Sequence, residues 1–376
     1  MSKKILVFDI SYLTGNNRTP IISKVLIWQK KGIKVDIFCT KEAKVEYSQK
    51  LKNINYILLP FASSSSNRIV LIFENLKRNF LALFCIFKIL KSSYHAFYSI
   101  SAVLDLVMFP YLLKIINPKL KWVVVFDNTV EKNEPGNKYI KFLAYWFYRL
   151  SLFFLRSANT VFVVTPLLKV KLLEEGFVDS KLIITGNGVE LDLIKSIKSP
   201  KKIYDGLFVG RINESKGVYD LLNVLKIICN KYPKFIMALM GRGDLDSERK
   251  FLDRAKELGL DRNIYLLGFK SGDKKIKVFK QSKIFIFLSP SESFGVALLE
   301  AVCCGLPAVV YDLKPYQYIY KNKEITKLKI GDYEGVAKEV IYLYKNKKFN
   351  NENGKKLLNR YSWDIISKIE LNAIIK

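Results

Sequence analysis

Short runs of apolar residues recur along the chain, separated by longer stretches of helical periodicity. Lys4-Ile-Leu-Val-Phe-Asp-Ile10 reads as a first strand, Ile21 to Lys31 as a helix ended by Gly32, and Val35-Asp-Ile-Phe-Cys-Thr40 as a second strand. Further strands are expected at Asn55–Leu59, Ala96–Ile100, Lys121–Phe126, Asn159–Val164 and Lys181–Thr185. Near-continuous apolar runs alternating with helices predict a parallel sheet covered on both faces, which is a Rossmann-type domain.

A short lysine-rich linker, Ser196–Lys202, precedes a second set of the same kind. Its strands are expected at Asp205–Val209, Phe235–Met240, Ile264–Gly268, Ile284–Leu288 and Ala308–Asp312. The division expected is therefore a first domain over 1–195 and a second over 203–362. Tyr361-Ser-Trp-Asp364 opens a last helix over 363–376.

The stretch Ser289 to Pro307, SPSESFGVALLEAVCCGLP, stands out. An apolar strand feeds a polar loop, Ser289–Ser293, and Gly305-Leu306-Pro307 ends the helix that follows. Glu292 thus lies at the carboxyl end of a strand, just before a helix N-terminus, where open α/β sheets bind ligands. Glu300 lies among apolar residues, and a carboxylate there is costly without a partner. Either it sits at the helix edge or pairs with a buried arginine, or it accepts hydrogen bonds from ligand hydroxyls. Backbone N–H groups near Phe294 and Gly295 would meet an anion at the same place. Polyol and phosphate held together describe a sugar nucleotide.

Composition narrows the class. The 376 residues are 50% hydrophobic and 13% aromatic, enough for two sizeable cores. The five cysteines are scattered through apolar runs without metal spacing, and there is one histidine, His95, at a strand entrance. They read as packed, reduced thiols, and Met1-Ser-Lys-Lys running straight into a strand predicts no signal peptide.

The net charge of +28 is divided between both halves, with 29 basic against 14 acidic residues in 1–200. Residues 47–126 carry ten basic side chains and two acidic ones. Such charge calls for an anionic partner. Without a recognition motif or a single basic stripe, nucleic acid is not the expected one. Two stretches, Arg68–Lys91 and Lys138–Arg156, combine bulky apolar and aromatic residues with Lys and Arg. Neither offers the uninterrupted run that a spanning helix needs. They suit either a helix lying on an anionic membrane surface or core helices with basic outer faces.

Glu292-x7-Glu300, with Phe294-Gly295 between and Gly-x-Pro after, resembles the E-x7-E signature of retaining glycosyltransferases, especially glycosyltransferase family 4. Gly210-Arg211-x4-Lys216-Gly217 resembles that family's Gly-Arg-x4-Lys-Gly motif, and Asn187-Gly188-Val189 its Asn-Gly-Val turn. The resemblance covers nearly the whole chain and is strongest from Gly206 to Pro307.

It implies a GT-B fold: two Rossmann-like domains facing across a cleft, with a C-terminal helix crossing back onto the first. It also implies transfer of a sugar, with retention, from a nucleotide-sugar donor, taken as a UDP-sugar. The acceptor would be a lipid-linked or cell-envelope glycan at the cytoplasmic face of the membrane. Donor contacts would fall to Gly15, Arg211, Lys216, Gly241, Phe269, Phe294, Gly295, Val296 and Glu300, and Glu292 would orient the donor sugar. No metal or other cofactor is implied, because Arg211, Lys216 and helix N-termini offset the diphosphate charge.

The chain departs from the family in two places. The first loop has only Gly15, which could equally be a plain turn. Where many members end the fifth strand in histidine, this chain has Phe126 and Asp127, which makes Asp127 the candidate for that catalytic role. A sugar-nucleotide epimerase and a non-catalytic partner subunit are the alternative readings.

Overall fold

The computed structural model describes residues 3–10, 18–60, 68–130, 138–198, 200–321, 323–346 and 352–375. Gly15 lies outside them. The chain forms two compact units, Met1–Asn187 with Trp363–Lys376, and Gly188–Ser362.

The first unit is built on a seven-stranded sheet: β1 (Lys4–Asp9), β2 (Lys34–Cys39), β3 (Asn55–Leu58), β4 (Ala96–Ser99), β5 (Lys121–Phe126), β6 (Thr160–Val163) and β7 (Leu182–Ile184). Its order is β3-β2-β1-β4-β5-β6-β7, and every pairing is parallel. The second unit has β8 (Tyr204–Val209), β9 (Met237–Met240), β10 (Ile264–Gly268), β11 (Ser282–Phe287), β12 (Ala308–Tyr311) and β13 (Ile325–Leu328), ordered β10-β9-β8-β11-β12-β13 and again all parallel. Both are Rossmann-like. In each, the order reverses beside the first strand, between β1 and β4 and between β8 and β11. Ile5, Leu6, Val7 and Phe8 of β1 are fully buried, as are Phe285 and Ile286 of β11, which is why these strands read as continuous apolar runs.

The division falls between Asn187 and Gly188, ahead of the boundary expected at 195. The segment after Gly188 is tied to the second unit: the Val189 N–H donates to the Tyr361 carbonyl at 2.8 Å. The Lys280 ammonium donates to the carbonyls of Ile194 and Ile197 at 2.7 and 2.5 Å.

The helix Trp363–Ile375 belongs to the first unit and packs on the helix Thr19–Lys30. Glu370 is fully buried there. Its carboxylate takes Lys24 Nζ at 2.6 Å and the Tyr98 hydroxyl at 2.8 Å, while Lys24 also donates to Tyr98 Oη at 2.8 Å. Carbonyls of the helix's last turn meet basic side chains, as a helix C-terminus favours. Lys121 and Lys3 donate to Ala373 and Ile375 at 2.8 and 3.0 Å, and the His95 ring lies 3.1 Å from the Ile374 oxygen.

The stretch Arg68–Lys91 is not one helix. It divides into a helix Arg68–Ala82, a 3-10 turn Leu83–Cys85 and a helix Ile86–Lys91. The cysteines are unpaired, and four of the five are buried. Burial pushes the Cys229 and Cys304 thiols up, to about 11 and about 12, which makes them poor nucleophiles. Among the described residues no helix is long and apolar enough to cross a membrane.

Candidate functional site

The site forms where the order of the second sheet reverses, at the carboxyl ends of β8 and β11. The chain leaves β8 through Gly210 and Arg211 and makes a 3-10 turn over Glu214–Lys216. At Gly217 it adopts a left-handed conformation, with φ +71°. A Cβ there would lie 1.8 Å from the Leu288 carbonyl oxygen, so only glycine lets this turn cross the end of β11. The crossing carries Lys216 to the loop Ser289–Ser293.

Lys216 Nζ there meets Glu292 Oε1 at 2.5 Å, and the Ser289 hydroxyl donates to the same oxygen at 2.9 Å. The pair is open at one side: the side chains keep 22% and 15% of their accessible surface. Arg211 is exposed and makes no ion pair among the described residues.

Gly295, φ +76°, starts the helix Val296–Cys303 with no side chain capping the first turn. Its N-terminal N–H groups are therefore left to solvent or a ligand. Two tyrosines from the helix following β12 and its end fix this turn. The Tyr320 hydroxyl donates to the Gly295 carbonyl at 3.0 Å. The Tyr316 ring lies against the Gly295 Cα, so that a Cβ would come within 2.7 Å of it. The Phe294 ring is buried, edge-on to Tyr320 and Tyr361 at 6.2 and 5.5 Å. That ring is an anchor, and what the segment offers a ligand is backbone. Val296 is exposed.

About one turn along the helix, Glu300 pairs with Lys275, which reaches it from the helix Gly272–Gln281. The partner is thus a lysine on a separate helix, not a buried arginine, and the pair is partly exposed. Gly241 and Phe269 lie at the ends of β9 and β10. The Gly241 N–H donates to the Gly268 carbonyl at 3.1 Å, and the Phe269 ring is exposed.

The second unit therefore brings Arg211, Lys216, Glu292, Phe294, Gly295, Val296 and Glu300 to the ends of β8 and β11, with Gly241 and Phe269 on the β9–β10 side. Asp127 belongs to the first unit. It follows β5, is exposed, and accepts a hydrogen bond from the Ser101 hydroxyl at 3.1 Å.

Sequence reasoning passed over Lys275, Ser289 and Tyr316. Ser289 stands three residues before Glu292 in the same loop, which made its hydroxyl a local candidate for that carboxylate. Lys275 and Tyr316 arrive from other elements and carry no local signal.

Taken as a chemical environment, these residues offer cations and free N–H groups for an anion. The two carboxylates offer acceptors for hydroxyls, once their lysines are drawn elsewhere.

Residues 189–359 match the family model described as glycosyl transferases group 1. An uncharacterized glycosyltransferase of Methanocaldococcus jannaschii is 27% identical over 273 residues, covering 68% of this chain and 64% of that protein. The phosphatidyl-myo-inositol mannosyltransferase of Mycobacterium leprae is 26% identical over 193 residues, 48% of this chain and 50% of the relative. The chain thus spans between half and two thirds of the length of these relatives. Among solved structures, Anabaena HepE in complex with UDP and glucose superposes with a TM-score of 0.76 over 100% of both chains, at 14% identity. That likeness shows the fold: two Rossmann-like units of the GT-B kind. The similarity to group 1 glycosyl transferases lies in the second unit, over its matched residues 189–359.

Proposed function

We propose that the chain is a retaining glycosyltransferase of family 4, moving a hexosyl group from a nucleoside-diphosphate sugar to a glycan or lipid-linked acceptor. The observation that carries this reading is the pair of carboxylates, Glu292 and Glu300, each held by a lysine beside an uncapped helix N-terminus where the sheet order reverses.

On this reading the donor's diphosphate meets Arg211, Lys216 and the N–H groups at Gly295–Val296. Glu300 accepts from the ribose hydroxyls and Glu292 from the sugar. The Phe269 face and the glycine-lined ends of β9 and β10 take the base. The bond from the anomeric carbon to the diphosphate breaks, and the acceptor oxygen bonds the same face of the sugar. The acceptor's proton passes to the departing diphosphate. The leaving group gains charge as this happens, and fixed cations stabilise that change. Asp127 remains the candidate on the first unit for orienting the reacting sugar.

UDP is the favoured nucleotide, in keeping with the UDP named in the HepE complex. A lipid surface suits the first unit. Phe142, Trp146, Leu150 and Phe153 project at helical spacing from the helix Lys138–Leu155. Leu76, Phe80, Phe84 and Phe87 project from the segments between Arg68 and Lys91. Both groups flank the helix Leu104–Ile116, and exposed Lys77, Lys88 and Lys91 lie beside the second. Exposed rings with lysines suit the headgroup region of anionic lipid, and peripheral attachment at the inner membrane face follows.

Thermal unfolding with UDP, GDP and their sugars tests the donor site. A ligand at 100 times its Kd adds about 2.7 kcal/mol of stability. Stabilisation of the wild type and not of Arg211→Ala is expected. Loss of the wild-type response to the whole panel would overturn the reading. Co-sedimentation with phosphatidylglycerol vesicles but not with phosphatidylcholine ones, weakened in Trp146→Ser, tests the membrane face.

A further inference from the structure

Tyr316 has a buried hydroxyl with no hydrogen-bond partner among the described residues. The residue lies in the helix Lys314–Ile319 and is 1% exposed. A buried hydroxyl without a partner is costly, and burying one is tolerated where another state satisfies it. Its neighbour Tyr320 has its hydroxyl on the Gly295 carbonyl. Phenylalanine would fill the Tyr316 space equally well, so packing does not account for the oxygen.

The position of the oxygen points to its partner. The ring crosses the Cα of Gly295, three residues after Glu292, and both Cε1 and Oη lie 2.7 Å from the place a Gly295 Cβ would take. Glu292 is also near enough for its charge, after burial, to help push the Tyr316 phenol up. Glu292 Oε1 is taken by Lys216 and Ser289.

We infer that Tyr316 is a positioning residue for Glu292, donating its hydroxyl hydrogen to that carboxylate once a bound diphosphate has drawn Lys216 away. The inference rests on the donor-site reading above. Lys216 has one charge to share between Glu292 and a phosphate. When the phosphate takes it, Glu292 loses its cation in a half-buried site and needs another donor. Tyr316 supplies one from the helix Lys314–Ile319. One carboxylate oxygen is then fixed and the other left to a sugar hydroxyl. The exchange converts an ion pair into an oriented acceptor without leaving a bare charge.

The test is Tyr316→Phe, alone and in a Glu292→Ala background, with UDP and GDP as probes in calorimetric titration and thermal unfolding. Without ligand, Tyr316→Phe should melt at or above the wild-type temperature, because an unpaired buried hydroxyl has been removed. A merely structural hydroxyl would give a lower melting temperature. Whichever nucleoside diphosphate binds the wild type should bind Tyr316→Phe about tenfold more weakly, the effect of losing one hydrogen bond to a charged group. In the Glu292→Ala background the same substitution should change affinity less than twofold, because the acceptor is gone. Unchanged affinity in Tyr316→Phe overturns the inference while leaving the donor site intact. A tenfold loss that persists without Glu292 also overturns it, since Tyr316 would then touch the ligand itself. If neither UDP nor GDP binds the wild type, the donor-site reading fails and the inference falls with it.

Discussion

The two units each hold lysine–glutamate pairs, and they hold them differently. In the first unit Lys24 and Glu370 are sealed: Glu370 is fully buried, and Tyr98 bonds both partners. In the second, Lys216–Glu292 and Lys275–Glu300 lie at the ends of strands and helices with part of each side chain in solvent. A sealed pair is closed to any ligand, so its job is to join a helix to a sheet. An open pair at a helix N-terminus can trade its lysine for a phosphate and its carboxylate for a hydroxyl. The chemistry is the same in both, and solvent access decides whether the pair is a joint or a site.

The largest effect expected is on the sealed pair. Glu370→Ala leaves Lys24 buried without its counter-charge and should cost about 3–5 kcal/mol in denaturant unfolding. Nucleotide affinity, measured at a temperature where the variant is folded, should not change. A cost below about 1 kcal/mol would mean the pair is not sealed and would break the contrast.

Next comes Asp105, a buried carboxylate in the helix Leu104–Ile116. Burial raises the Asp105 carboxyl to about 6, the Arg78 charge opposing only in part. An unfolded Asp titrates near 3.9. Between about pH 4 and pH 6 the folded state therefore keeps a proton that the unfolded state has lost. Stability should fall as pH rises through that window, by on the order of 3 kcal/mol, and level off above it. Asp105→Asn should remove this fall, which unfolding curves at pH 4, 5, 6 and 7 would read.

Smaller effects belong to the open pairs. Glu300→Ala should weaken nucleoside-diphosphate binding about tenfold while changing stability by less than about 1 kcal/mol, since Lys275 can be hydrated in place. Lys275→Ala should act the other way: with the competing lysine removed, affinity should tighten about twofold to threefold. Equal losses in both variants would mean that Lys275 contacts the ligand too.

Much of this was legible in the chain. Ile284–Leu288, the loop after it and the Gly305-Leu306-Pro307 stop define a strand, a turn and a helix by local rules, and the structure places them as β11, the Glu292 loop and the Val296–Cys303 helix. Strand alternation likewise forecast two parallel sheets. What local rules could not supply was pairing at a distance. In a chain with 62 basic residues, nothing marks Lys275 as the one that meets Glu300, or Lys24 as the one that meets Glu370, 346 residues later. The break at Leu83–Cys85 was hidden too, because apolar spacing continues through it. Phe294 was read for its backbone, and the structure adds that its ring is locked between Tyr320 and Tyr361, which is a tertiary fact.

The helix Trp363–Ile375 has a consequence for how the chain is made. It completes the first unit, yet the ribosome adds it after the whole of the second. Domains generally fold as they emerge. Here Lys24 leaves the ribosome some 346 residues ahead of the carboxylate that neutralises it. The second unit can finish while the first still lacks its closing helix. The earlier-made unit is then the later one to mature, and its exposed groove against Thr19–Lys30 is the surface a chaperone would have longest to find.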